Sequence, residues 1–478
     1  MNTIKIIAKN TLVMLVARIL SYLLGFFSTI YTARYLSADS FGIISLALSL
    51  SAIVGVLIDP GLSTLTTREV ARNKLLSEKY VANTVVMKIV FSIFVLLIVC
   101  CLTHIIGYSS TVRTVVYIIA ASVVIGSLTA TLNTIFQAEE EMEYISINTI
   151  LAGIIMLAGI LIGISCKAGV VYFALLYVIT NSFVLLVVMI IYSKKYSFPK
   201  IKVNFRFWKE TIQDAWAFGI IGLSGMLYTY IDSIMLSIIT DTKTVGWYSA
   251  AYRLMLIVLF FPTAINTAVF PVMSRFYTTV SDSLRIMTER YFKYMIIVAI
   301  PMGIGTTLLA NKIVAFVYGS AFAESSIALK ILIWTMVLTF SGAAYVQLLV
   351  SINKQLEVTK ISLVCVVINV LLNVLLIPRF SYIGASIATV STEVILVGYI
   401  ITICYKLGYG VAPALVIKRL LQILAGSAVM SVFLLYCKTW NVLVLIVLGA
   451  LVYLSVIYMV GVFDKEDKLL VNKIVGRK

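Results

Sequence analysis

VVMKIVFSIFVLLIVCCLT, residues 85–103, carries a single charge, the ammonium of Lys88 near its start. A helix of about twenty such residues, rising 1.5 Å per residue, covers the roughly 30 Å hydrocarbon core of a bilayer. Runs of this kind follow one another along all 478 residues, of which 62% are hydrophobic and 12% charged. Backbone amides in lipid must be satisfied within the spanning structure, which leaves helices or a closed β-barrel. A barrel needs short segments of alternating polarity. These runs are apolar all round, so the expected fold is an all-α, polytopic membrane protein.

Outward from this run, spans are expected at 10–33, 41–65, 83–107, 114–137, 144–165, 170–192, 213–239, 246–274, 288–310, 327–351, 358–378, 383–405, 415–437 and 441–463. An even number puts both termini on one side. Of the 37 Lys and Arg, 27 fall on the side of the termini and 8 on the other, with Arg18 and Arg253 inside spans. The positive-inside rule then makes both termini cytoplasmic, in a plasma (inner) membrane. One inward loop dissents, since Glu139, Glu140, Glu141 and Glu143 bring no basic residue with them. The net charge of +17 follows from topology and attraction to anionic headgroups, and calls for membrane lipids rather than nucleic acid as partner. Lys88 and His104, near span ends, are expected to snorkel toward the interface.

The longest polar connection follows span six. It divides the chain into a six-helix bundle (1–192), a cytoplasmic linker (193–212), a second six-helix bundle (213–405) and two extra helices with a tail (406–478). A displacement of 204 residues lays Gly42, Ser45, Ala47 and Leu50 on Gly246, Ser249, Ala251 and Leu254. Such a repeat of six spans preserves the orientation of every helix, and transporters commonly place their substrate path at the seam between repeats.

Ionisable groups well inside a span are costly and point to a pathway or a packing pair. Five stand out: Arg18, Asp59, Asp232, Arg253 and Glu393. Counting residues puts Arg18 and Asp59 roughly 12 and 9 Å from the inner ends of their spans. Asp232 and Arg253 sit roughly 10 Å from the outer ends. Each half thus offers one Arg and one Asp. Either they form two salt bridges that set helix register, or the Arg residues meet an anionic substrate while the Asp residues gate. A guanidinium fork suits phosphate because it donates two parallel, charge-assisted hydrogen bonds. Glu393 is a candidate ion-coupling site. Pro60, Pro262, Pro271 and Pro301 mark places where spans can bend.

The six cysteines lie in or beside apolar runs without paired spacing and read as packing residues. The first apolar run lacks a cleavage site and reads as a span rather than a signal peptide. With one histidine and no Gly-rich phosphate loop, nothing suggests a catalytic residue, a metal site or a cofactor. A membrane enzyme of glycan polymerisation therefore lacks a candidate active site.

Two stretches carry a resemblance. One is ARYLSADSFGIISLALSLSAIVGVLIDPGLSTLTTREVAR, ending at Arg72. The other is YIDSIMLSIITDTKTVGWYSAAYRLMLIVLFFPTAINTAVFPVMSRF, residues 230–276. The second contains Asp232, Met235, Leu236, Val245, Gly246, Tyr248, Ser249, Ala250 and Ala251 in a pattern that resembles the polysaccharide-export and O-antigen flippases. Those belong to the multidrug/oligosaccharidyl-lipid/polysaccharide exporter superfamily. The resemblance implies two six-helix bundles about a cationic cavity. It also implies transfer of an undecaprenyl-diphosphate-linked oligosaccharide from the cytoplasmic to the outer leaflet, with Arg18 and Arg253 drawing the diphosphate. A polysaccharide polymerase and a chain-length regulator are the implied partners. A peptidoglycan-precursor flippase and a cation-coupled drug exporter are the alternatives from the same superfamily.

Overall fold

A computed structural model describes residues 3–196, 203–259, 281–410 and 413–463, with scattered positions between 261 and 275. Linker residues 197–202, Pro271 and the basic tail from 464 lie outside the described residues. The helices are α1 (Thr3–Tyr35), α2 (Ala38–Ile58), α3 (Leu62–Arg72), α4 (Ser77–Ile105), α5 (Ser110–Ala138), α6 (Met142–Ser165) and α7 (Val170–Lys195). They continue with α8 (Phe205–Ile239), α9 (Thr242–Ile257), α10 (Ser281–Val317), α11 (Ser325–Ser351), α12 (Gln355–Lys406), α13 (Pro413–Tyr436) and α14 (Val442–Met459). Among the described residues, every one of these except α3 belongs to a helical segment long and apolar enough to cross a bilayer, thirteen in all.

The fourteenth span is folded into α12. Its 52 residues would make a rod of about 78 Å, far longer than a bilayer is thick. The rod breaks at Ser381 (φ 53°, ψ −135°), three residues after Pro378. The Cys365 thiol then donates to the Thr392 carbonyl at 3.9 Å, and the Tyr399 hydroxyl to Glu357 at 3.5 Å. Pairs converging on the break in this way describe an antiparallel hairpin, so α12 supplies the two spans expected at 358–378 and 383–405.

The outward faces of the helices are apolar, and buried polar groups lie among the apolar core. Helix α4 buries Lys88, Ser92, Val95, Val99 and Thr103, spaced three or four apart, while Ile89, Ile93, Phe94 and Leu97 face outward. Lipid solvates the apolar face, and the polar groups find partners between helices. Lys88 therefore does not snorkel as expected. It stands on the inward face one turn from Ser92 and is fully buried.

Span two also departs from expectation. The run 41–65 is not one helix: α2 stops at Ile58 and α3 starts at Leu62. Pro60 lacks an amide proton and disfavours helical backbone at Asp59, and Gly61 adopts the left-handed φ of 86° that closes the break. Asp59 is thus a helix-capping residue at a break rather than a residue inside a span.

The chain forms two compact units, Met1–Ser249 and Ala250–Lys478. Helix α8 packs on α2 and α3 in the first unit, so this unit extends beyond the first six spans. Within it, α2 crosses the start of α9 at the repeat-related glycines. A Cβ on Gly42 would strike the carbonyl of Thr242 and the amide of Gly246. One on Gly246 would strike the carbonyl of Ala38 and the amide of Gly42. Ala38 and Thr242 are themselves 204 residues apart, so the contact is reciprocal in the way a two-fold axis requires. The Thr242 hydroxyl also bonds Asp39.

The acidic loop that dissented from the charge rule is neutralised by its neighbours. Glu139 pairs with Lys74, and Glu141 with Lys195. Tyr196 donates to Glu141 at 3.2 Å, and burial together with that carboxylate pushes the phenol up to about 12. These contacts put the acids on the same side as two of the basic segments.

Candidate functional site

At the break after α2, three side chains and a carbonyl close on one another. The Lys88 ammonium lies 2.8 Å from Asp59 Oδ2 and donates to Ser63 Oγ at 2.8 Å and to the Ser127 carbonyl at 3.1 Å. Its three protons are all used. Asp59 Oδ1 accepts the Ser63 amide at 3.0 Å, and Oδ2 accepts the Ser63 hydroxyl at 2.5 Å. Asp59 thereby caps the first turn of α3, a role that its short carboxylate performs well. The partner of Asp59 is a lysine from α4 rather than Arg18, which is exposed on α1.

This knot fixes the direction of α3. The helix buries Leu62, Leu65, Thr66 and Val70 on one face, with Leu62 and Leu65 clustered with Met87 and Ala215. Its other face presents Ser63, Thr64, Thr67 and Arg68 to a cavity of about 440 Å³, completed by Asn133 and Gln137 from α5. Asn133 and Gln137 are four apart and share one side of α5. Arg68 Nε donates to Glu69 at 2.8 Å, and Arg72 reaches the same carboxylate at 3.2 Å. One carboxylate faces two guanidiniums, so this group keeps a net positive charge. The Arg68 guanidinium also lies 5.7 Å from the centre of the Phe218 ring.

Asp232 is buried in the first unit and accepts a hydrogen bond of 2.7 Å from the Tyr248 hydroxyl. Arg253 belongs to the second unit, half-buried and near enough to Tyr318 to act on it electrostatically. Glu393 is buried on the second arm of α12 and accepts from Thr339 of α11 at 2.7 Å. The second unit also holds an apolar cavity of about 430 Å³, with Pro301 and Gly305 of α10 on one wall. Met430 of α13 and Gly449 and Tyr453 of α14 line the other.

Seven residues of the site, Lys88, Ser63, Thr64, Thr67, Arg68, Asn133 and Gln137, are not among those the sequence singled out for it. A signal existed for the last two, since amides four apart in an apolar span share a helix face. For Lys88 the signal was its spacing from Ser92.

The family model described as polysaccharide biosynthesis protein matches residues 7–277, and a second, MatE, matches residues 220–375. The probable low-salt glycan biosynthesis flippase Agl15 of Haloferax volcanii is 23% identical over 389 residues, covering 80% of each chain. The probable flippase AglR of the same organism is 30% identical over 171 residues, 35% of this chain and 36% of AglR, so this match spans about a third of that relative. The solved structure of lipid II flippase MurJ in an inward closed conformation superposes with a TM-score of 0.77 at 15% identity, covering 93% of this chain and 98% of that one. At that identity the likeness is one of fold. The family model spans more than half of the sequence, and the chain belongs to the polysaccharide biosynthesis protein family.

Proposed function

We propose that the protein is a flippase that carries an undecaprenyl-diphosphate-linked oligosaccharide, an O-antigen or similar surface-polysaccharide unit, from the cytoplasmic to the outer leaflet. The observation that carries the reading is the cavity into which α3 and α5 bring hydroxyl, amide and guanidinium side chains, set among helices whose outer faces are apolar. A glycan headgroup needs such a wall because its hydroxyls cannot enter hydrocarbon unpaired. Arg68 in its lining offers charge-assisted donors to a phosphate. Arg18, exposed on α1, and Arg253, half-buried in the second unit, are each a cation that this reading assigns to phosphate, and Asp232 is the carboxylate it assigns to gating, while Asp59 is committed to Lys88.

Deletion of the gene is expected to trap lipid-linked repeat units on the cytoplasmic leaflet and to abolish surface polysaccharide. Unchanged surface polysaccharide in the deletion strain counts decisively against this function.

In the same reading Glu393 is the ion-coupling carboxylate. Glu393→Gln keeps an acceptor for Thr339 and removes only the titratable charge. The variant is expected to fold and to transport at a rate independent of proton or sodium gradients. A gradient dependence equal to the wild type's assigns Glu393 a packing role instead.

A further inference from the structure

Resting on the flippase reading, we propose that Thr64, Asn133 and Gln137 form the wall that reads the sugars, and that they select uncharged, hydroxyl-rich hexoses next to the diphosphate.

The fixed charges around the cavity are already committed. Lys88 is held by Asp59, Lys74 by Glu139 and Lys195 by Glu141. Only the Arg68–Arg72–Glu69 group leaves a surplus charge among these described pairs, and its Arg68 lines the cavity. The hydroxyls of the wall are mostly committed too. Ser63 bonds Asp59 and Lys88, Thr67 donates to the Ser63 carbonyl at 3.1 Å, and Thr134 to the Thr131 carbonyl at 2.6 Å.

What remains for a ligand is neutral. The side chains of Thr64 and Gln137 are exposed and have no partner among the described residues. Asn133 uses its oxygen to accept from the Asn148 amide at 3.3 Å and keeps its own NH₂. An amide offers a donor and an acceptor side by side, which matches adjacent sugar hydroxyls. Among the described residues lining the cavity Arg68 is the one cation, and with it on the phosphate a carboxylated sugar finds no second cation beside Thr64, Asn133 and Gln137. The division of labour follows from the chemistry of the lining: the Arg68 guanidinium for the phosphate, the amides of Asn133 and Gln137 and the Thr64 hydroxyl for the sugar.

The test uses the full chain in proteoliposomes of phosphatidylethanolamine and phosphatidylglycerol. Two probes are compared: undecaprenyl diphosphate bearing a neutral disaccharide, and the same lipid without sugar. Gln137→Leu and Thr64→Val remove two exposed, unpartnered groups and leave the packing intact. Together they should slow translocation of the glycosylated lipid about tenfold, as loss of two modest hydrogen bonds implies, and leave the bare lipid unaffected. Thr64→Ser should restore the share of the effect due to Thr64. Arg68→Gln should slow both probes. Free disaccharide should compete with the glycosylated lipid in the wild type and not in Gln137→Leu, a measurement that needs no transport of the bare lipid. Equal slowing of both probes by the wall variants, or no slowing of either, overturns the assignment of the wall. A wild-type protein that moves neither probe instead overturns the flippase reading itself.

Discussion

Replacing Lys88 with methionine is expected to cost about 3–5 kcal/mol of stability, the range seen when one partner of a buried ion pair is removed. The side chain is fully buried, and its ammonium is the only cation paired with the Asp59 carboxylate among the described residues. Its loss leaves that carboxylate, 23% exposed at the head of α3, with the Ser63 amide and hydroxyl as its remaining protein partners among the described residues. The thermal midpoint of the detergent-solubilised protein is the measurement. Asp59→Asn alone should cost less, because a buried amine can shed its proton and become neutral. The double change Asp59→Asn, Lys88→Met should recover most of the loss, since the amide that replaces the carboxylate still presents an oxygen to the Ser63 backbone N–H. Additive losses in the two single variants rule out the pair as a unit. An unchanged midpoint in Lys88→Met rules out its structural weight altogether.

Gly42→Ala is the second large effect. The added methyl has no side chain to push aside, because its neighbours are the Thr242 carbonyl and the Gly246 amide. Backbone cannot re-rotamerise, so α2 and α9 must separate. Overpacking of this kind costs about 1–3 kcal/mol even where side chains can yield, and more is expected here. Gly246→Ala should behave alike because it meets the Ala38 carbonyl from the other direction. The double variant should lose much less than the sum, since the first substitution already opens the crossing that the second one needs. Gly25→Ala is the control: its Cβ meets nothing within 4 Å, and it should be neutral or slightly stabilising through helix propensity. Full additivity at 42 and 246 contradicts the reciprocal crossing.

Much of the architecture was legible along the chain. Hydrophobic run length makes helices and sets their number, because lipid leaves the backbone no alternative. Even the hairpin within α12 was readable, as two apolar runs around Pro378. The 204-residue displacement was visible only as a few matching small residues, yet it named the glycines that meet. The break at Asp59–Gly61 was written in the same letters and misjudged: hydropathy averages across a Pro-Gly pair that backbone geometry does not tolerate in a helix.

The site was the less legible part. Depth along a span is a one-dimensional quantity, and it grouped Asp59 with Arg18. Partnership depends on which helix faces which, and rotation about the helix axis assigned Asp59 to Lys88 on α4. The same rotation turned Asn133 and Gln137 toward Ser63, Thr67 and Arg68 of α3 to make a cavity. That the chain crosses the membrane as helices, and how many times, could be read from the letters alone. Those properties follow from the composition of each segment and the solvent it meets. Which buried charges already neutralise one another, and which polar groups are left for a ligand, emerged only once the helices were packed. That depends on contacts between segments far apart in the chain, and no single segment encodes them.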